Sequence, residues 1–318
     1  MKALVYLGNG SVAVQDIPKP TLRSPTDAIL RITKTTICGT DLHIKKGDVP
    51  ACQPGLVLGH EGVGIVDAVG SAVTRFRPGD HVMIICVTQC GMCPYCRRGM
   101  MSHCETGGWI LGKMHHGTQA EYVCVPHADT SLLMMPEGAD PEDMVMAGPI
   151  GLGALMCAQM YSPAKIIMVD QDDGRLAMAA KMGANAVVNS GKEDAVQRVL
   201  ELTNGIGCDS VIEAVGVPAT FELCQKLLAP GGTLANMGVH GKPVTLDLEA
   251  LWDRNITITT RLLDTVTTPM VAKLVASGQL DAKKLITHRF KASEMEKAYE
   301  TFGNAAQHGA LKVLIDME

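Results

Sequence analysis

The chain has 318 residues, 47% of them hydrophobic and 19% charged, so it is long enough for two domains with sizeable cores. Its 28 basic and 33 acidic residues give a formal net charge of −5, and the absence of a basic run argues against nucleic-acid binding. No apolar stretch reaches the length of a membrane span, and we expect no signal peptide because the apolar start at 1–6 is too short.

The eleven cysteines are an odd number spread over a long chain, which favours reduced thiols and metal ligation over a disulfide framework. We therefore expect a cytoplasmic protein. Five cysteines have the spacing of metal ligands: Cys38, Cys90, Cys93, Cys96 and Cys104. The other six are expected to be small core residues.

The first part of the chain, to about residue 146, is predicted to be rich in β-strands. Short β-branched runs at 28–32 and 64–69 are separated by turns rich in Gly and Pro. Further strands are predicted at 81–85 and 120–125. Several short strands at this spacing indicate a partly open β-barrel.

A possible catalytic metal site lies at Gly59-His60-Glu61-Gly62, read together with Cys38 upstream. A thiolate, an imidazole and a carboxylate are ligand types of catalytic zinc, and three protein ligands leave one coordination position open. The alternative is a buried Cys and a hydrogen-bonded core His.

A second metal site is predicted from the run Cys90-x-x-Cys93-x-x-Cys96 and the nearby Cys104. Four thiolates suit a closed tetrahedral zinc site, whose role would be folding rather than catalysis. An iron–sulfur cluster also uses four thiolates. We favour zinc because the fourth Cys is local and the segment holds one loop together, and a disulfide pair is the remaining alternative.

The sequences CGTDLH at 38–43, GHEGVG at 59–64 and RPGDHV at 77–82, with the four-cysteine segment, resemble zinc-dependent medium-chain alcohol dehydrogenases, including bacterial secondary-alcohol members. The resemblance runs nearly end to end. It implies an α/β protein with a GroES-like, partly open β-barrel catalytic domain and a doubly wound parallel Rossmann sheet. The implied boundaries are 1–146 and 285–318 for the catalytic domain and 147–284 for the NAD-binding domain.

The resemblance also implies roles for single residues. Cys38 and His60 match the zinc ligands, and Glu61 matches a glutamate beside the metal. Thr40 matches the hydroxyl that passes on the substrate proton, and His43 the outer base of that relay. Such a site would lower the pKa of an alcohol so that hydride passes to a nicotinamide. The alternative for Thr40 and His43 is a helix-cap hydroxyl and a surface His.

Trp109 resembles a substrate-pocket Trp of the bacterial secondary-alcohol members. An ordinary core Trp fits this position as well.

From residue 147 the pattern alternates between strands and helices, as expected for a parallel sheet. Strands are predicted at 165–170, 186–188, 210–216, 232–238 and 256–260, and helices at 173–182, 195–202 and 218–228. The final run of strand, helix and strand, at 285–290, 293–301 and 311–315, resembles a return to the catalytic domain.

A dinucleotide site is predicted where a Gly-rich turn opens a helix that runs to Met160, with an acidic residue, Asp170, at the next strand end. Asp170 favours NAD, because a carboxylate there would repel a 2′-phosphate. The predicted cofactor-binding residues are Gly148, Pro149, Ile150, Gly151, Asp170, Arg175 and, by resemblance to a basic residue near the phosphates, Lys312.

The chain departs from the family just before this turn. The family's third zinc ligand and first Rossmann strand have no clear counterpart, and the central strand could only be 144–146. Loss of that strand would expose both of its neighbours. We therefore predict Cys38, His60 and Glu61 as the three zinc ligands. Residues adjacent in an extended strand point to opposite faces, so a bend is needed between His60 and Glu61, and Gly59 and Gly62 permit one.

Three functions remain open. The first is an NAD-linked zinc alcohol dehydrogenase that acts on small primary or secondary alcohols, expected to form dimers or tetramers. The second is a non-catalytic, zinc-stabilised remnant of that family. The third, a zinc-free quinone reductase, conflicts with both metal motifs.

Overall fold

The computed structural model describes residues 1–145 and 150–317. By its internal contacts the chain divides into a first unit, Met1–Gly148 with Leu263–Glu318, and a second unit, Pro149–Leu262. Residues 263–284, expected in the cofactor domain, thus group with the first unit. None of the described helices is long and apolar enough to cross a membrane.

The first unit contains the earliest and the last elements of the chain. Its first strands are β1 (Lys2–Gly8), β2 (Ser11–Asp16), β3 (Ala28–Ile37), β4 (Gly62–Val69), β5 (His81–Ile84), β6 (Tyr122–Val125) and β7 (Leu132–Met134). Its first helices are α1 (Gly39–Lys46), α2 (Pro94–Arg97), α3 (Ala128–Ser131) and α4 (Pro141–Met144).

The second unit alternates helices and strands, as predicted. In order these are α5 (Ile150–Gln159), β8 (Ile167–Asp170), α6 (Asp173–Lys181), β9 (Ala186–Asn189), α7 (Ala195–Leu202), β10 (Cys208–Glu213), α8 (Pro218–Leu227), β11 (Leu228–Asn236), α9 (Leu248–Leu251) and β12 (Thr257–Thr260). The chain then returns to the first unit with α10 (Thr268–Ala276), β13 (Ile286–Lys291), α11 (Met295–Gly303), α12 (Ala305–His308) and β14 (Lys312–Asp316). Short 3₁₀ turns cover Met101–His103, Ala282–Leu285 and Ala292–Glu294.

Strand β3 is the centre of the first unit. It pairs antiparallel with β4 along most of its length, with β6 over residues 28–31 and with β14 over residues 34–37. The sheet continues from β4 through β5 to β7, and β13 lies parallel outside β14. Because β3 changes partner halfway, the sheet curves around the buried side chains, in agreement with the predicted barrel-type domain.

The second unit contains two separate parallel half-sheets. One is β8 with β9, and the other is β10 with β11 and β12. Among residues 1–145 and 150–317, β8 pairs only with β9 and β10 pairs only with β11, so each of these two strands has one unpaired edge. No strand therefore joins the two half-sheets among the described residues, where the sequence allowed a central strand only at 144–146.

The only segment that could have formed that strand, 144–146, does not form one in its described part. Met144 ends α4 and Val145 is its C-cap, and Met146 lies outside the described residues. The helix has a local cause, since Asp140 accepts a hydrogen bond from Glu142 N at 2.9 Å and Pro141 occupies the first helical turn. Met144 and Val145 are buried in a core of the first unit.

Helices hold the two half-sheets together. One core contains Val188 of β9, Val211 of β10, Val199 of α7 and Phe221 of α8, so both half-sheets pack against α7 and α8. Ile212 of β10 nevertheless remains 45% exposed. The two half-sheets therefore belong to one folded unit that leaves part of its apolar surface exposed.

Candidate active site

Cys38, His60 and Glu61 come together in the first unit. The thiol sulfur, an imidazole nitrogen and a carboxylate oxygen lie within 4.8 Å of one another. Gly59 makes the bend that allows this, because its φ is +91° and an added Cβ would lie 2.7 Å from Gln119 Cγ. His60 and Glu61 are therefore placed between a left-handed glycine and the start of β4.

The Glu61 carboxylate is buried, with 4% of the residue exposed. Its Oε2 accepts hydrogen bonds from the Thr36 hydroxyl and from Lys312 Nζ, the latter at 2.6 Å. Burial opposes its charge, but the Lys312 ammonium lowers the pKa of Glu61 below its usual value. Glu61 is therefore ionised in the interior and already has one cationic partner.

The backbone of Glu61 is fixed as well. Thr35 and Thr118 donate their hydroxyls to its carbonyl oxygen at 2.7 and 2.8 Å. These contacts fix the main chain, while Thr36 and Lys312 hold the carboxylate near the thiol and the imidazole, which supplies the preorganisation that metal ligands need.

Asp41 sets the positions of the other two candidate ligands. Its Oδ2 accepts from Cys38 N at 2.9 Å and from Gln119 Nε2 at 3.3 Å, and Tyr299 donates to Gln119 Oε1 at 2.8 Å. Its Oδ1 lies 3.6 Å from His60 Nδ1. At this distance the two groups attract each other electrostatically without forming a hydrogen bond.

The donor set suits a zinc ion. His60 Nδ1 and Asp41 Oδ1 are buried polar atoms without a hydrogen-bond partner among the described residues. Burial opposes a charge on His60, but Asp41 and Cys38 raise the pKa of its imidazole to about 10. The negative surroundings therefore favour positive charge here, and the thiol, imidazole and carboxylate fit three ligands of a catalytic zinc.

Thr40 and His43 lie on α1, which begins directly after Cys38. The Cys38 thiol is 3.7 Å from the Thr40 hydroxyl oxygen. His43 is three residues further on and thus on the same helical face, and its side chain is 35% exposed. Its Nδ1 lies 2.9 Å from Asp48 Oδ2. The helix therefore places a hydroxyl beside Cys38 and a His nearer to solvent.

Trp109 and Cys86 border the cluster. The Trp109 ring meets the His60 ring edge-on, with centroids 6.3 Å apart, and its buried Nε1 has no described hydrogen-bond partner. Burial, followed by the charges of Glu61 and Cys38, raises the pKa of the Cys86 thiol. Cys86 is therefore a half-buried thiol whose pKa responds to the charges of the site, although the sequence suggested only a core residue.

The four cysteines of the predicted second metal site also converge. Their sulfur atoms lie within 4.8 Å of one another. Backbone N–H groups point at the sulfurs, as from Cys90 N to Cys104 Sγ at 3.2 Å and from Cys93 N to Cys90 Sγ at 3.3 Å. Hydrogen bonds led by Cys96 N lower the pKa of Cys93 to about 6. All four are free thiols, which fits four thiolate ligands to zinc.

We expect Cys93→Ser to remove one zinc ion and to expose the loop 90–104 to protease, because a closed zinc site contributes folding energy directly. Metal analysis and limited proteolysis provide the measurement. Cys157→Ser, at an exposed cysteine of α5, is the matched control. Full metal content and unchanged protease resistance in Cys93→Ser would contradict the assignment.

The predicted cofactor residues of the second unit lie at two element ends. Helix α5 begins at Ile150, so Gly151 is in its first turn, and Gly148 and Pro149 lie outside the described residues. Asp170 ends β8, where its Oδ1 accepts from Gln171 N at 2.7 Å and from Asp172 N at 3.0 Å.

Arg175 and Lys312 differ in their surroundings. Arg175 Nη1 lies 3.8 Å from Asp170 Oδ2, so the predicted acid and base are neighbours. Lys312 was expected near the cofactor phosphates, but it is only 2% exposed and its ammonium pairs with Glu61. The structure thus places Lys312 beside the candidate zinc ligands.

Sequence reasoning missed the supporting residues Asp41, Gln119 and Tyr299. Asp41 carried a signal, because an acid three residues after an N-cap is typical of a capping box, and the structure contains one at Cys38 and Asp41. Gln119 and Tyr299 lie far apart in the sequence and had no such local signal.

Comparisons with known proteins agree with this geometry. Residues 24–137 match the family described as alcohol dehydrogenase GroES-like domain, and residues 149–277 match zinc-binding dehydrogenase. An alcohol dehydrogenase from Cupriavidus necator is 36% identical, covering 99% of this chain and 98% of that protein. That alignment extends over 367 positions against the 318 residues of this chain, so the relative has residues at 49 or more positions where this chain has none.

Solved structures resemble the chain over its full length. Zinc-dependent alcohol dehydrogenase 2 from Streptococcus pneumonia, in its apo form, is 50% identical with a TM-score of 0.96, covering 100% of this chain and 99% of that one. Two structures at 26% identity contain a dinucleotide. A zinc-binding dehydrogenase from Sinorhizobium meliloti has NADP, with a TM-score of 0.88 and 99% coverage of both chains. An alcohol dehydrogenase from E. coli CFT073 has NADH, with a TM-score of 0.89, 100% coverage of this chain and 99% of that one.

The chain is 36–50% identical to named alcohol dehydrogenases over its full length, which is more than a likeness of fold. Its two cysteine-containing clusters also contain side chains of the types that bind zinc. The chain belongs to the zinc-dependent medium-chain alcohol dehydrogenase family and is an alcohol dehydrogenase.

Proposed function

We propose that this enzyme transfers hydride between a small primary or secondary alcohol and NAD. The observation that carries the proposal is the convergence of Cys38, His60 and Glu61 on one point, beside a hydroxyl-bearing helix start. Zinc bound there would polarise the alcohol oxygen and lower its pKa. The chain's own residues would orient the alcohol and remove its proton.

Thr40 and His43 are the proposed route for that proton. The Thr40 hydroxyl can accept the proton from an alcohol beside Cys38 and donate its own onward. Asp48 holds His43 Nδ1, which leaves Nε2 to accept a proton, and partial exposure lets the imidazole exchange it with water.

The proposed preference for NAD rests on Asp170. A carboxylate at the end of β8 can accept hydrogen bonds from a ribose diol and would repel a 2′-phosphate. We expect Asp170→Ser to weaken NADH binding by about 10- to 100-fold, as for loss of a hydrogen bond to a charged group. NADPH binding should improve, because Arg175 would lose its neighbouring carboxylate.

Fluorescence titration of the wild type and Asp170→Ser with both cofactors measures this change. The double variant Asp170→Ser/Arg175→Ala is the control and should lose the gained affinity for NADPH. Equal affinity of the wild type for NADH and NADPH would contradict the role of Asp170.

Zinc analysis combined with NADH titration tests the proposed function as a whole. We expect two zinc ions per chain and saturable NADH binding. One zinc and no NADH binding would instead support a zinc-stabilised remnant, the alternative that the full-length matches do not favour.

We further propose a homo-oligomer, dimer or tetramer, in the reducing cytoplasm. The free state of all eleven cysteines supports a reducing compartment. Sedimentation of the purified enzyme would measure the subunit count.

A further inference from the structure

A buried carboxylate braces the ends of two neighbouring strands in the second unit. Glu213 is the last residue of β10 and is 1% exposed. Its Oε1 accepts from Val215 N at 3.0 Å, from Gly216 N at 2.9 Å and from the Thr220 hydroxyl at 2.6 Å. One carboxylate oxygen therefore fixes the turn 214–217 and ties it to the start of α8.

The same residue fixes the turn that follows β11. The backbone oxygen of Glu213 accepts from Met237 N at 2.7 Å and from Gly238 N at 3.1 Å. The contact is tight, because a Cβ on Gly238 would lie 2.2 Å from Gly216 N and 2.3 Å from Glu213 Oε2. The turns 214–217 and 237–240 are therefore packed directly on each other.

His240 completes the brace from the other side. Its Nε2 lies 2.8 Å from Asn236 Oδ1 and 3.4 Å from Glu213 Oε2, and Asn236 Nδ2 donates to Gly238 O at 3.1 Å. The rings of His240 and Phe221 pack edge to face, with centroids 6.0 Å apart. His240 therefore holds Asn236, and through it the backbone of the second turn.

Glu213 Oε2 and His240 Nδ1 are buried and have no hydrogen-bond partner among the described residues. Burial raises the pKa of the Glu213 carboxyl, but the hydrogen bonds from the Thr220 hydroxyl and from the N–H groups of Gly216 and Val215 lower it further, so that the net shift is downward. The carboxylate therefore keeps its charge. A buried ionised carboxylate is costly, so its presence at this point indicates a demand for exact turn geometry.

Both turns follow the carboxyl ends of adjacent parallel strands, the edge at which open parallel sheets bind dinucleotides. Asp170, at the end of β8, suits the ribose of the adenosine half. The β10 and β11 edge belongs to the other half of the sheet and so serves the other half of the cofactor.

We propose that Glu213 and His240 are positioning residues that hold the turns 214–217 and 237–240 in the conformation that receives the nicotinamide half of NAD. This inference rests on the proposed use of NAD. The two residues act through the backbone of the turns, so their loss lowers the fraction of protein that is competent to bind the nicotinamide half.

ADP-ribose and NADH are the probes, because ADP-ribose lacks the nicotinamide. We expect Glu213→Gln to weaken NADH binding by about tenfold and to leave ADP-ribose binding unchanged. A tenfold loss corresponds to a variant in which about one tenth of the molecules have turns competent to bind the nicotinamide half. Zinc content and KM for the alcohol should remain at wild-type values. Glu249→Gln, the same chemical change on the exposed face of α9, is the control.

Each outcome decides between the proposals. Wild-type protein that binds neither probe overturns the use of NAD itself. If Glu213→Gln binds NADH with wild-type affinity, the positioning role is overturned. It is also overturned if the variant loses affinity for NADH and ADP-ribose equally, because an equal loss indicates a general structural defect. If Glu213→Gln does not fold, His240→Gln decides by the same comparison, because it keeps an amide donor for Asn236 and removes the imidazole.

Discussion

Cys38→Ser is expected to remove one of two zinc ions and to lower kcat/KM by about 10³-fold or more. Cys38 supplies the only thiol among the three described candidate ligands. Loss of metal would forfeit several kcal/mol of transition-state stabilisation, and each 1.36 kcal/mol is a factor of ten in rate.

The measurement is zinc per chain together with steady-state kinetics. Cys157→Ser is the control, because that cysteine is exposed and lies in the other unit. Glu61→Gln extends the test, since it keeps the shape of the side chain and removes its charge. If Glu61→Gln retains both zinc ions at wild-type affinity, Glu61 is not a ligand and the three-ligand site is wrong.

Lys312→Met is expected to destabilise EDTA-treated protein by about 3–5 kcal/mol, the usual cost of leaving one partner of a buried ion pair alone. Lys312 and Glu61 are 2% and 4% exposed, and their charged groups are 2.6 Å apart. Lys312 therefore neutralises the same carboxylate that we assign to zinc. Zinc should stabilise Lys312→Met more than it stabilises the wild type, because the ion would replace the lost positive charge.

Urea unfolding at pH 7, with and without zinc, measures both effects, and Lys312→Met/Glu61→Gln is the control that removes both charges.

The pH is chosen from the pKa shifts of the two residues. The pKa of Glu61 is lowered from 4.5, so its contribution is present above that value and is lost as the pH falls through the lower folded value. The pKa of Lys312 is raised from 10.5, so its contribution is complete below that value. An unchanged free energy of unfolding in Lys312→Met would refute the role of the pair.

The sequence predicted those parts of the site that depend on local spacing. The four cysteines from Cys90 to Cys104 lie in one short segment, and their types and spacing suffice to indicate a closed metal site. Helix α7 was predicted with its observed bounds, and in the structure Asp194 caps it.

Long-range contacts could not be predicted in this way. Lys312 and Glu61 are separated by 251 residues, and a single Lys at the start of an apolar strand does not reveal its partner. The sequence left the segment 144–146 undecided for another reason, since three apolar residues fit a strand or a helix. The capping Asp140 and the following Pro141 were the local signal for a helix.

β8 and β10 each have one edge without a described partner, and these edges should reverse the usual order of amide hydrogen exchange in a parallel sheet. In a continuous sheet the innermost strands exchange most slowly, because opening them requires the whole unit to unfold. Here β11 is the described strand of the second unit with a partner on both sides, whereas β8 and β10 each have one. The slowest amides of the second unit should therefore lie in β11, and the N–H groups on the unpaired edges of β8 and β10 should exchange with water while the unit is still folded.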